Sequence, residues 1–268
     1  MNNQQDWQEK LQKLCKKYNL NIKYLADIIN DPKVIPMIRG KSFEMTARDV
    51  IQEILSSKYE VKNPRINAQA GLHDMDISIV NKSNQKQYSV ECKLAAKGSF
   101  RLEKGEPKLR VKCMRSRTLG QKAAQQRAKI LNVPETLLQI HNDQYVDSDF
   151  DIVVTSIANA FYETDTEKLF YWSPSEEALP LLEKMGIQNQ ENAFYKMYAA
   201  KSKDLIANAE NRENRIICTR KTCSDELKKL NREYCNFIPN YPCIYLDKKT
   251  GLPFQPWVSI ENIETLLH

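Results

Sequence analysis

Two short apolar runs joined by a polar turn constrain this chain more than any other part of its sequence. Asp76-Ile77-Ser78-Ile79-Val80 and Tyr88-Ser89-Val90-Glu91-Cys92-Lys93-Leu94 read as β-strands, and Asn81-Lys82-Ser83-Asn84-Gln85-Lys86 reads as the turn between them. With Val80 facing Gln87 across that turn, Asp76 falls opposite Glu91, where antiparallel partners hold their Cβ atoms roughly 5 Å apart. Side chains alternate along a strand, so Glu91 and Lys93 share one face while Val90 and Cys92 point the other way. Asp74 joins the acidic face if its strand extends that far. Two carboxylates and one ammonium are thereby placed among Ile77, Ile79, Val90 and Leu94, where ionised groups are costly.

The flanking sequence extends these strands into a sheet with helices. Residues 6–17 have helical spacing, with Trp7, Leu11, Leu14 and Cys15 on one face. Residues 21–30 form a second helix around Ile22, Leu25, Ile28 and Ile29. Pro32 and Pro36 punctuate the chain before a longer helix from about Ser42 to Ser57, capped by Ser42 and striped with Phe43, Ala47, Val50, Ile51 and Leu55. Tyr59-Glu60-Val61-Lys62 alternates as a strand that Pro64 cuts short. Leu119–Leu131 reads as a helix and Asp151–Ile157 as a buried, β-branched strand. Beyond about Tyr171, helices are expected at 175–185 and 190–206. The order helix, three strands, helix, strand predicts an α/β fold, a mixed α+β sheet flanked by helices. The expected divisions are a helical segment 1–38, a core 39–170 and a C-terminal region 171–268 for recognition or dimerisation, packed as one globular unit.

An acidic residue two before a lysine is a common pattern, and six begin at Asp31, Glu60, Glu91, Glu106, Glu226 and Asp247. Only Glu91 lies in an apolar strand with a second acidic strand just upstream. Two carboxylates and an ammonium suit phosphodiester hydrolysis. Hard cations such as Mg²⁺ take carboxylate oxygens, and a bound metal acidifies water and offsets developing charge. A lysine alongside can orient that water or stabilise the phosphate oxyanion. The competing reading is a solvated cross-strand salt-bridge cluster, worth under about 1 kcal/mol.

On these residues the chain resembles the PD-(D/E)XK nucleases, the type II restriction endonucleases in particular, over about Arg39 to Ile157. Asp76 stands at the family's first acidic position and Glu91-Cys92-Lys93 at its (D/E)-x-K, with Met75 where a proline often precedes the aspartate. Gly40-Lys41-Ser42-Phe43-Glu44 looks like the helical element that supplies a further glutamate, here Glu44. Its other reading is an exposed glutamate near a helix N-terminus, suited to the dipole. The resemblance implies a restriction-endonuclease-like core with Asp76, Glu91, Lys93 and Glu44 as catalytic residues. It implies a metal site of Asp76 and Glu91 for Mg²⁺, with Mn²⁺ able to substitute. Palindromic cutting of double-stranded DNA would then require a homodimer. A structure-selective repair or junction-resolving nuclease and a non-catalytic DNA-binding protein are the alternatives.

Charge indicates where DNA would run. The net charge of +6 is a mild bias by itself. Gly98–Arg117, however, holds seven basic residues against Glu103 and Glu106. Arg101, Lys108, Arg110, Lys112, Arg115 and Arg117, next to the cleavage strand, are the expected phosphate contacts. A second basic run, 212–232, reads as a solvated face. Seven cysteines without secretory features predict free thiols in a reducing cytoplasm, compatible with a bacterial source. Cys218, Cys223, Cys235 and Cys243, spaced C-x4-C, x11, C-x7-C, depart from the two-residue knuckles of zinc sites, so structural zinc is not expected. His73, next to Asp74, reads either as a residue near the metal or as an incidental loop histidine, and His141 and His268 carry no signal. No stretch approaches the eighteen or so apolar residues of a membrane span, and Met1–Asp6 is no signal peptide.

Overall fold

The computed structural model describes residues 3–64, 75–115 and 118–268. Helices α1 (Asn3–Lys17) and α2 (Leu25–Asn30) form the N-terminal segment. Their apolar stripes stay largely in solvent. Trp7 is 54% exposed and Leu14, Ile22, Ile28 and Ile29 are exposed as well, whereas Cys15 is buried.

Helix α3 spans Ile35–Ile54 and so begins ahead of the expected Ser42 cap. Pro36 sits in its first turn, where a missing N–H has no intrahelical partner to lose. The proline that reads as a break is therefore the helix start. Phe43, Ala47 and Ile51, one turn apart, are buried against the sheet, and burying a side chain such as Phe43 or Ile51 contributes about 1.5–3 kcal/mol.

Strands β1 (Tyr59–Lys62), β2 (Ile77–Asn81) and β3 (Gln87–Cys92) form an antiparallel meander. Val80 pairs with Gln87 and Ile77 with Val90, the register expected from the turn. The chain then leaves the sheet as a hairpin of β4 (Arg101–Glu103) and β5 (Glu106–Arg110), followed by α4 (Gln121–Ile130) and α5 (Glu135–Ile140). It returns as β6 (Ile152–Ser156), parallel to β3. A parallel neighbour demands such a crossover, and this one contains the basic segment. A small hairpin, β7 (Tyr162–Thr164) and β8 (Phe170–Trp172), precedes α6 (Leu179–Lys184) and α7 (Gln190–Tyr195). Strand β9 (Met197–Lys201) then adds antiparallel to β6. Last come α8 (Lys221–Lys229), β10 (Cys243–Tyr245) beside β5, and β11 (Val258–Ser259) beside β9.

Among the described residues the main sheet therefore has six strands in the order β1-β2-β3-β6-β9-β11. This is an α/β fold, a mixed sheet flanked by helices. Two details differ from the sequence reading. The stretch 190–206 is not one helix: α7 stops at Tyr195 and β9 follows, its residues Met197–Ala200 buried on both faces. Burial on both faces erases the alternation that marks a strand, and tertiary pairing overrides the helical preference of Met, Ala and Lys. The sheet also runs through the expected boundary at residue 170, because β9 and β11 are two of its strands.

The two faces of the sheet carry separate cores. Ile152 and Val154 of β6 pack on the α3 side, and Val153 packs on the other with Phe161, Tyr198 and Trp257. No helix among the described residues is long and apolar enough to cross a membrane.

Candidate active site at the end of β3

Asp76 immediately precedes β2, and its carboxylate accepts a hydrogen bond from the Cys92 backbone amide at 2.8 Å. Glu91 lies in β3 and Lys93 directly follows it. Their side chains form an ion pair and are only 11% and 19% exposed. The Tyr145 hydroxyl donates to Glu91 Oε1 at 2.9 Å, and Lys93 Nζ lies 5.6 Å from the centre of the Tyr145 ring. Glu44, in the middle of α3, lines the same cleft with its side chain 16% exposed and paired to Lys41. A solvated salt-bridge cluster would leave these groups in water, and a dipole-compensating Glu44 would sit at the helix start. Neither description matches this geometry.

Electrostatics single out Asp76. Burial, followed by the charges of Glu91 and Glu44, pushes its carboxyl up to about 7. Burial alone would lower Lys93, but Glu91 and Tyr145 outweigh it and hold the ammonium charged well above its ordinary range. Burial and the charge of Glu91 also push the Tyr145 hydroxyl up, so it stays protonated and can keep donating. Glu44 has Lys41 and Glu91 has Lys93, which leaves Asp76, among the described residues, as the carboxyl without an ion-pair partner in a poorly hydrated corner. A divalent cation with oxygen ligands would relieve that imbalance, and Asp76 and Glu91, with Glu44 lining the same cleft, could supply oxygens to it.

The corner opens into a cleft of about 1490 Å³. Of the six cations expected to meet DNA, Arg110, Lys112 and Arg115 line it. Arg110 lies 5.5 Å from the Tyr241 ring centre, and both Arg110 and Lys112 are exposed. Arg115 is half-buried, 5.7 Å from the Tyr145 ring centre and 3.6 Å from Asp149, which also holds Arg127 at 2.6 Å. Arg101 and Lys108 belong to the β4–β5 hairpin but do not line the cleft. Arg101 turns back to the Phe100 carbonyl at 2.5 Å, and Lys108 pairs with Glu103 at 2.7 Å. Arg117, Asp74 and His73 lie outside the described residues.

Sequence reasoning missed Tyr145 and Arg39. Tyr145 sits in irregular chain after α5, and its bond to Glu91 exists only because the crossover folds back over β3. Arg39 lines the cleft from α3, donating to Asn159 Oδ1 at 2.6 Å and stacking 4.3 Å from the Tyr162 ring centre. No local pattern marks either residue. Comparison with known proteins matches this chain to no family model, no curated protein and no solved structure.

Proposed function

We propose that this chain is a Mg²⁺-dependent endodeoxyribonuclease of the PD-(D/E)XK kind, cutting double-stranded DNA in the manner of a type II restriction enzyme. The observation that carries the reading is the meeting of Glu44, Asp76, Glu91 and Lys93 in a cleft walled by Arg110, Lys112 and Arg115. Bound by Asp76 and Glu91, Mg²⁺ would acidify a water and offset charge on the phosphorane. Tyr145 holds the Glu91 carboxylate in place through its hydroxyl. Lys93, charged throughout the physiological range, stabilises the phosphate oxyanion or orients the attacking water. Arg110 and Lys112 neutralise neighbouring phosphates and so set the strand against the site.

Cutting both strands at a symmetric sequence requires two such sites and hence a second copy of the chain. The exposed apolar residues of α1 and α2 support the N-terminal segment as the surface that meets it. The test is direct. Purified protein is incubated with supercoiled plasmid and Mg²⁺, and the product ends are sequenced. Fixed ends at one short sequence are expected. Cutting confined to branched DNA would make the enzyme junction-resolving, and salt-sensitive binding without cleavage would make it a DNA-binding protein only.

A further inference from the structure

We propose that His141, Cys218, Cys223 and Cys235 form a structural zinc site of the Cys₃His type. The four ligand atoms lie within 4.8 Å of one another, although His141 follows α5 directly and, far along the chain, Cys218 precedes α8, Cys223 lies in it and Cys235 comes after it. The S–S and S–N edges of a tetrahedral zinc site are roughly 3.5–3.8 Å, so a small contraction closes it.

The histidine is already set up as a ligand. It is fully buried, its ring stacks on Phe237 with centroids 4.6 Å apart, and its Nδ1 bonds the Gln144 side-chain oxygen. That bond places the proton on Nδ1 and leaves Nε2 with its lone pair free. Nε2 is buried and has no hydrogen-bond partner. A metal ligand normally has its second nitrogen held in this way by an outer oxygen.

All three cysteines are free thiols, Cys218 half-buried and Cys223 and Cys235 buried. The Arg220 guanidinium, anchored to the Ile140 carbonyl and to Asp143, partly offsets the negative charge of three thiolates around a divalent ion. Sulfur and imidazole donors select zinc over magnesium, and four protein ligands leave no open position for catalysis.

The site would fasten α5 to α8 over the apolar cluster of Leu137, Leu138 and Phe237. It would also brace the turn from His141 to Tyr145, whose last residue holds Glu91 and whose Asp143 carbonyl receives the Arg115 amide at 2.9 Å. Cys243, which the spacing pattern groups with these cysteines, lies in β10 outside the cluster.

The test is metal content of the purified full-length chain by elemental mass spectrometry, with cobalt substitution to report ligand geometry. About one zinc per chain is expected, together with a thiolate-to-cobalt charge-transfer band and tetrahedral visible bands. Cys235→Ser should fall below about a fifth of that zinc content, while Cys243→Ser and Asp76→Asn keep it, the latter separating this site from the carboxylates. If Cys235→Ser does not fold, wild-type zinc content and the cobalt spectrum decide alone. Wild type that takes up no stoichiometric metal when supplied with zinc, or that carries a disulfide among these three cysteines, would overturn the proposal. So would zinc retained in a folded Cys235→Ser variant.

Discussion

Asp76 is the residue on which the charge balance of the site turns. Its carboxyl faces Glu91, Glu44 and Lys93, with Tyr145 behind Glu91, and is held up to about 7 instead of 3.8. In Mg²⁺-free protein the folded state keeps this proton at pH values where the unfolded chain has lost it. The contribution of Asp76 to stability is therefore fully present below about pH 4 and is lost as pH rises towards 7, because there the unfolded chain binds fewer protons. Asp76→Asn removes the dependence. In magnesium-free buffer its Tm should match wild type near pH 4 and exceed it at pH 8, by about 2–4 °C for each kcal/mol relieved. Calorimetry across that range checks this, and parallel curves for the two proteins would contradict it. Lys93 is tested separately. Lys93→Met keeps the apolar stem but leaves Glu91 without its ion-pair partner, so it should slow cleavage by at least about a hundredfold while the protein stays folded at a lowered Tm. Activity and the fold collapsing together would mean that the lysine is structural.

Among the elements, the meander and its register were legible because one face of each strand is apolar and the turn admits few pairings. The α3 stripe was legible for the same reason, although its start was hidden by a proline that suits a first turn. Strand β9 and the β4–β5 hairpin were not, the first because it is buried on both faces and the second because its short strands are rich in charge. Of the candidate site, Asp76, Glu91 and Lys93 could be named from pattern and Glu44 from the family resemblance, but Tyr145 and Arg39 reach the cleft only through tertiary folding. The hairpin also redistributes the cations expected to meet DNA. Arg115 is tied to Asp149 and the Tyr145 ring, so the exposed pair Arg110 and Lys112 is the cleaner probe. Replacing both by alanine should weaken binding to cognate and random duplexes alike. The slope of log affinity against log salt should fall by about 0.9 for each phosphate that is no longer neutralised. An unchanged slope would remove this wall from the DNA path.

At the scale of the whole molecule, the sheet depends on segments distant in sequence. A chain ending after residue 170 would lack β9 and β11 and leave β6 as an open edge. It should show no cooperative unfolding transition, and a cooperative melt would contradict that view of the sheet. Full-length protein should sediment at twice the chain mass, with Trp7→Glu shifting it towards monomer. A single-chain mass at working concentration, in the presence of DNA and Mg²⁺, would count against symmetric double-strand cutting by a stable dimer. The central claim, that the corner beneath the cleft is a metal-dependent hydrolytic site, is tested most directly by one comparison. Plasmid cleavage with Mg²⁺ is measured for wild type, Asp76→Ala and Glu91→Ala, with duplex binding measured in parallel. Losing a ligand to the metal should cost about 4 kcal/mol of transition-state stabilisation, roughly a thousandfold in rate, while affinity for DNA persists. Cleavage within about tenfold of wild type, a difference of less than about 1.4 kcal/mol, in either variant would contradict the account.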